Sequence, residues 1–305
     1  MKPLLAIVGS TAVGKSALAM YLAKHFPIEI VNADSRQIYR YMSIGTGKPT
    51  PNDLQLVPHH LIDIVNPDQA FNLSLYRRLA TERINSIHRI GKLPVLVGGS
   101  GLYIWSVVEG WQIPQVYPDY KLRQELEITA KQKGSPALYK TLQQIDELAA
   151  NKIHPNNTRR IIRALEIYYT TGQLPSKLYR KIQPGFSNLI IGLTVERNEL
   201  YRMIHQRITN MLELGLVQEV EKLSQMGYTD SLPSMSSIGY NQIYQFLKGQ
   251  LTLPSAIEII RKETRRLARH QYAWFHLNDK RIHWIDISQY DVKEKAIKLI
   301  ENNLF

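Results

Sequence analysis

The chain of 305 residues contains no cysteine, which excludes disulfide scaffolds, Cys-bearing zinc sites and thiol nucleophiles together. It also lacks a long apolar run. The opening MKPLLAIVGS is too short for a secretory h-region or a membrane span, and no other stretch stays apolar for the ~18 residues a span requires. A cytoplasmic protein that does not engage a membrane is expected. Internal repeats and low-complexity tracts are missing as well. Acid is scarce relative to base: 26 Asp and Glu stand against 38 Lys and Arg, a formal net charge of +12. That surplus suggests a polyanionic partner such as nucleic acid, and says nothing about fold. With 44% hydrophobic and 21% charged residues the chain is not disordered wholesale. Its length allows one large domain with an insertion, or two smaller domains.

The apolar pattern has two periods. PLLAIV (residues 3–8), IEIV (28–31) and LPVLVGG (93–99) read as buried strands, and a helix is expected from about 15 to 24. Residues 74–90 read as a crossover helix packing Leu75, Leu79 and Ile84. From about Pro114 to Pro184 the pattern is helical only; NLIIGLTV (188–195) and IHWID (282–286) then return to strand. This rhythm predicts an α/β fold, a P-loop NTPase-like parallel sheet with helices on both faces and an inserted all-helical subdomain. The expected boundaries are 1–112 and 186–305 for the core and 113–185 for the insertion.

The basic residues concentrate in three places. Residues 1–50 carry six Lys and Arg against two acids, and 152–207 carry ten against Glu166, Glu196 and Glu199. The third cluster is Arg261, Lys262, Arg265, Arg266 and Arg269, beside Glu258 and Glu263. On a helix capped by Asn157 or Thr158, Arg159, Arg160 and Arg163 share one face, opposite Ile161, Ile162, Leu165 and Tyr168. Lys262, Arg265, Arg266 and Arg269 form a second stripe, opposite Ile260, Leu267, Gln271 and Trp274. Solvated helix faces are one reading; two stripes without acids at i+4 favour contacts to a phosphate backbone.

Gly9-Ser10-Thr11-Ala12-Val13-Gly14-Lys15-Ser16 matches G-x-x-x-x-G-K-[ST] between a buried strand and a helix, the context of a phosphate loop. Its amides and the helix terminus cradle a diphosphate, Lys15 reaches phosphate oxygens, and Ser16 offers a hydroxyl to Mg²⁺. Asp34 follows the second strand by two residues, so it lies at the carboxyl edge where ligands bind in open α/β sheets. A helix N-cap is the alternative role for it. Gly98-Gly99-Ser100-Gly101 ends the third strand at that edge, with glycines that allow close backbone approach and a hydroxyl from Ser100. A triphosphate hydrolase usually ends a core strand there with a metal-holding Asp. Arg207 falls on the apolar stripe Leu200, Met203, Ile204, Ile208, Met211 and requires an anion, either a diphosphate or a structural carboxylate. His59 and His60 make a poor metal site and suit hydrogen-bonding roles.

GSTAVGKS, VNADSRQIYRYMSIGTGKP, HHLIDIVNPDQAF, LVGGSGLYI, HPNNTRRIIRALEIY, SMSSIGYNQ and TRRLARHQYAWF run in order from Gly9 to Phe275. Together they resemble the bacterial tRNA dimethylallyltransferases. The resemblance implies transfer of a dimethylallyl group from dimethylallyl diphosphate to N6 of the adenosine 3′ of the anticodon, in tRNAs reading codons that begin with U. It further implies a monomer that requires no protein partner, works with Mg²⁺, and draws the target base into a channel between core and insertion. By the same resemblance the phosphate loop holds the prenyl diphosphate, Asp34 is the base for the N6 proton, and Arg207 binds diphosphate. Ser100 stands where the family usually has Thr and holds the adenosine. Asp34, Ser35, Arg36 and Gln37, then Arg123, then Arg159, Arg160, Ile161, Ile162 and Arg163, then Arg265, Arg266 and Arg269 fall in regions resembling its tRNA contacts.

The sequence departs from the family at several of these places. Asn157 and Arg159 replace the usual Asp and Gln, and Ser236 and Asn241 occupy frequent Arg positions. The zinc module of many eukaryotic members needs cysteines that this chain does not have. A small-molecule kinase that uses the loop for ATP, and a P-loop protein that binds RNA without modifying it, are the competing readings.

Overall fold

A computed structural model describes residues 1–183 and 185–304. Its described residues form two compact units, Met1–Val108 with residues 185–304, and Glu109–Gln183. In chain order the elements are β1 (Lys2–Gly9), α1 (Lys15–Leu22), β2 (Ile28–Asn32), α2 (Pro51–Leu56), β3 (His59–His60), α3 (Leu73–Arg89), β4 (Leu93–Val97) and α4 (Gly101–Val108). The second unit holds β5 (Trp111–Gln112), α5 (Tyr120–Lys133), α6 (Ser135–Ile145), α7 (Glu147–Ala150), α8 (Thr158–Thr171), α9 (Pro175–Leu178) and β6 (Arg180–Lys181). Then follow β7 (Phe186–Thr194), α10 (Arg197–Glu213), α11 (Leu216–Gln225), α12 (Tyr240–Leu247), α13 (Leu253–Tyr272), β8 (Ile282–Asp286) and α14 (Val292–Leu304).

Six strands pair in parallel in the order β3-β2-β4-β1-β7-β8. β1 lies inside the sheet, in register with β7 from Lys2 opposite Phe186 to Gly9 opposite Leu193. Successive strand residues point to opposite faces, yet Leu4 through Val8 are all fully buried, so both faces are covered. That is why β1, β2 and β4 read as continuous apolar runs instead of alternating ones. The two-residue β3 carries no such run, and only its pairing with Ile30 and Val31 of β2 defines it.

Two expectations about packing need correction. The crossover helix α3 buries Tyr76, Ala80, Ile84 and Ile87, whereas Leu75 and Leu79 are only half-buried. The core face is set one position on, because the Tyr76 ring stacks on Tyr103 at 3.7 Å and its hydroxyl reaches the Asn32 carbonyl. The insertion is not all helix: β5 and β6 pair antiparallel through Trp111–Lys181 and Gln112–Arg180. Its own apolar core joins Leu138, Leu142, Ala149, Ala150, Ile161, Ile162 and Leu165 from α6, α7 and α8.

Candidate active site

β1, β2 and β4 are neighbours in register, so the segments leaving their carboxyl ends lie side by side at one sheet edge. After β1 the phosphate loop winds tightly, with positive φ at Gly9, Ala12 and Gly14 of 137°, 71° and 88°. Gly14 is the N-cap of α1 and offers no side chain, which leaves the first helix amides for an anion. Lys15 folds over the loop and donates from Nζ to the Gly9 and Ser10 carbonyls at 3.2 and 2.6 Å. Burial, and next the Arg207 guanidinium, pull its pKa down to about 8, with Asp34 opposing them. Ser16 is exposed on the wall of the same cleft.

The segment after β2 is held by Asn32. Its side chain accepts the Asp34 N–H at 2.9 Å and donates to the Asp34 and Leu61 carbonyls, both at 3.0 Å. The Asp34 carboxylate accepts the Arg36 N–H through Oδ1 at 2.8 Å. No helix begins here, so Asp34 closes a turn and is not an N-cap. Its Oδ2 accepts no hydrogen bond from any described residue. Arg36 donates to the Pro233 carbonyl, and Gln37 to the carbonyls of Thr46 and Gly47.

After β4 the glycines are needed for a different reason than ligand access. A Cβ at Gly98 would overlap the Ala33 backbone, and one at Gly99 would overlap the Gln271 amide. Gln271 accepts the Thr11 N–H at 2.7 Å and donates to the Gly99 carbonyl at 3.1 Å, joining the phosphate loop to the β4 turn. Ser100 accepts the Ser35 N–H at 3.0 Å and so ties that turn to the Asp34 segment; it is not part of the cleft wall.

Arg207 comes from α10, where Leu200, Ile204 and Ile208 are buried and Arg207 turns into the cleft. Its Nη2 donates to the Thr46 carbonyl at 3.3 Å, and no carboxylate among the described residues pairs with it. Burial lowers its pKa, with Asp34 opposing. The cleft, of about 480 Å³, thus gathers Lys15, Ser16, Asp34, Gln37, Arg207 and Gln271. Two cations and an uncapped helix terminus face one carboxylate, an arrangement suited to a diphosphate beside a group that gives up a proton. β4 ends in Val97 and glycines, without a metal-holding Asp. His59 and His60 bond to the Val57 carbonyl and the Glu29 carboxylate, and no group of three metal-ligating side chains occurs among the described residues.

The basic stripes are less uniform than their spacing implies. Arg159 and Arg160 are exposed at the start of α8, where Asn157 caps the helix by accepting the Arg160 N–H. Ile161 and Ile162, expected within a tRNA-contacting run, are 0% and 6% exposed in the insertion core, so that expectation is corrected. Arg123 and Arg163 both bind Glu166, which is fully buried. Burial alone would raise the Glu166 pKa, but these two guanidiniums hold it below the usual carboxylate value. Acids also pair Arg261 with Glu258 and Arg266 with Glu263, three residues away instead of four. Arg265 and Arg269 have no acid partner among the described residues; with Arg197 they surround Tyr201, whose hydroxyl accepts from Arg197 and Arg269 at 3.0 and 3.2 Å. Leu267, assigned by spacing to the buried side of α13, is 40% exposed.

Sequence reasoning missed Asn32 and the bridging role of Gln271. Each left a signal, a polar residue in a fully buried strand and a lone amide on an apolar helix face.

The chain is similar to known proteins over nearly its whole length. The model of the IPP transferase family matches residues 37–278. A tRNA dimethylallyltransferase of Dehalococcoides mccartyi is 46% identical over 304 residues, covering 100% of this chain and 93% of that protein. One from Thermomicrobium roseum is 44% identical over 303 residues, covering 99% and 92%. Among solved structures, the full-length tRNA isopentenylpyrophosphate transferase of Bacillus halodurans superposes with a TM-score of 0.74 at 40% identity, covering 100% of this chain and 97% of that one. A eukaryotic dimethylallyltransferase captured acting on tRNA gives a TM-score of 0.84 at 30% identity, covering 99% and 79%.

Proposed function

The chain belongs to the IPP transferase family, and we propose that it transfers a dimethylallyl group from dimethylallyl diphosphate to N6 of the adenosine 3′ of the anticodon, in tRNAs reading codons that begin with U. The observation that carries this reading is one cleft where, among the described residues, two cations have no paired carboxylate and the carboxylate beside them has an unengaged oxygen. The diphosphate sits against the phosphate-loop amides, Lys15 and Arg207. The N6 amine attacks C1 of the allyl chain, the C1–O bond breaks, and its electron pair leaves with the diphosphate. Asp34 accepts the N6 proton, while the loop amides, Lys15 and Arg207 stabilise the charge that grows on the leaving group.

A divalent cation fits this donor set. The Ser16 hydroxyl has no partner among the described residues and lines the cleft, and Mg²⁺ is usually held by few protein groups together with substrate phosphates. Bound there, Mg²⁺ supplies further charge neutralisation for the diphosphate. Exposed Arg159 and Arg160, and Arg265 and Arg269, contact the RNA backbone. No helix among the described residues is long and apolar enough to cross a membrane. We place the activity in the cytoplasm, where its substrate tRNA occurs.

The test is incubation with labelled dimethylallyl diphosphate, tRNA and Mg²⁺, with and without ATP. Label enters tRNA without ATP if the reading holds; ATP-dependent phosphate transfer with unlabelled tRNA sinks it.

A further inference from the structure

The five residues 43–47 form a layer between the buried Tyr240 and the half-buried Arg207. A Cβ at Gly45 would overlap the Tyr240 ring, and one at Gly47 would overlap the Arg207 guanidinium. What holds this layer is Glu219, on α11. Its Oε2 accepts the N–H groups of Ser43 and Ile44, both at 2.9 Å. Its Oε1 accepts Gly45 N–H at 3.3 Å and the Tyr240 hydroxyl at 2.6 Å. One carboxylate thus occupies a nest of three consecutive amides, the role an external anion plays elsewhere.

The consequence appears at the far end of the layer. With the amides turned to Glu219, the Thr46 carbonyl accepts Arg207 Nη2 and Gln37 Nε2 at 3.3 and 3.2 Å, and the Gly47 carbonyl accepts Gln37 at 2.9 Å. Glu219 is also an acid that does not neutralise Arg207. Its acceptor capacity is taken by four donors, and Arg207 meets carbonyl oxygens instead of a carboxylate. A guanidinium aimed by neutral acceptors keeps its charge for an incoming diphosphate.

We propose that Glu219 is a positioning residue for the transfer reaction: by clamping the amides of Ser43, Ile44 and Gly45 it sets the Thr46 carbonyl that aims Arg207 into the cleft. The inference rests on the reading that the cleft takes a diphosphate. Glu219→Gln keeps the size of the side chain but turns an NH₂ toward donors, so the clamp loosens. Burial and the Glu219 charge both raise the Tyr240 pKa, so Tyr240 remains a donor across the working pH range.

The experiment is a double-mutant cycle on the full-length protein, Glu219→Gln against Arg207→Gln, read by inorganic pyrophosphate affinity and by kcat and KM for each substrate. Glu219→Gln weakens pyrophosphate binding about tenfold, the effect of one well-placed hydrogen bond to a charged group, and raises KM for dimethylallyl diphosphate while KM for tRNA stays. In the Arg207→Gln background the same substitution adds almost nothing, because Glu219 acts through Arg207. Should Glu219→Gln not fold, Tyr240→Phe removes one donor from the same carboxylate and carries the cycle with a smaller loss. Folded Glu219→Gln with wild-type pyrophosphate affinity overturns the inference, as do fully additive effects. Wild-type protein that binds no pyrophosphate removes the functional reading itself, and the inference with it.

Discussion

Lys15 and Arg207 share one cleft: burial lowers the pKa of both, the Arg207 guanidinium lowers that of Lys15 further, and Asp34 opposes the shift at each. The pair is held in an electrostatically unfavourable state that an anion relieves. Because the pKa of Lys15 is pulled to about 8, this lysine is partly neutral just above that pH in the free protein. A bound diphosphate favours the ammonium. Pyrophosphate binding near pH 8 to 9 should therefore take up more protons in the wild-type protein than in Lys15→Arg, since the ligand's own ionisation is common to both. Calorimetry in two buffers of different ionisation enthalpy measures this. The stability effect has the opposite sign: an unfolded lysine near its ordinary pKa of about 10.4 binds more protons over that window, so the Lys15 contribution to stability rises with pH from about 8 while anion affinity falls. Equal proton uptake by wild-type and Lys15→Arg protein at about pH 8.5 contradicts this account of Lys15.

Arg207→Gln separates function from stability. It removes a cation that pairs directly with no carboxylate among the described residues, so the unfolding midpoint in urea should stay or rise slightly. Transfer should nonetheless slow by ~10²–10³, the typical loss for one donor to a developing negative charge. A large stability loss with only a mild rate effect would show Arg207 to be structural.

Gln271→Ala should act in the other direction on stability. The buried amide accepts Thr11 N–H and donates to Gly99 O, and its removal leaves both backbone groups without that partner. A loss of ~2–3 kcal/mol in equilibrium unfolding is expected, together with weaker pyrophosphate binding because the loop loses its anchor. Gln271→Glu places a charge beside the cleft and should weaken pyrophosphate further; unchanged affinity in both variants contradicts the anchoring role.

Within the insertion, neighbouring arginines should separate by role. Arg159→Ala with Arg160→Ala removes two exposed cations and should lower the slope of log tRNA affinity against log salt by roughly 1–2, with stability unchanged. Glu166→Ala instead leaves Arg123 and Arg163 without their shared buried partner and should destabilise the insertion by about 3–5 kcal/mol. Since the native Glu166 pKa is lowered, its contribution is present above the usual carboxylate range and disappears as pH falls below it. Protease sensitivity across 109–183 reads the second effect, and salt titration of tRNA binding the first.

Much of this was legible in the chain because its physics is local. A continuous apolar run ending in G-x-x-x-x-G-K-S fixes strand, loop and helix together, and Asp34, three residues beyond the end of IEIV, could only fall at the same sheet edge. Arg207 stood out because helical spacing put a charge on an apolar stripe. What stayed hidden was long-range pairing. Glu166 and Arg163 lie three residues apart, but the burial that makes the pair structural, and the arrival of Arg123 from α5, are tertiary. Gln271 meets Thr11 across 260 positions of sequence, and Glu219 meets Ser43 across 176. The one-position error in α3 has the same origin, since Tyr76 is buried by its stack on Tyr103.

The most direct measurement digests tRNA after single-turnover incubation with dimethylallyl diphosphate and Mg²⁺, and identifies the modified nucleoside and its position by mass spectrometry. Wild-type protein should convert the adenosine 3′ of the anticodon to its N6-dimethylallyl form without ATP. Asp34→Ala should slow the conversion by ~10²–10⁴ while still binding pyrophosphate. Unmodified adenosine with wild-type protein, or a near wild-type rate with Asp34→Ala, contradicts the account.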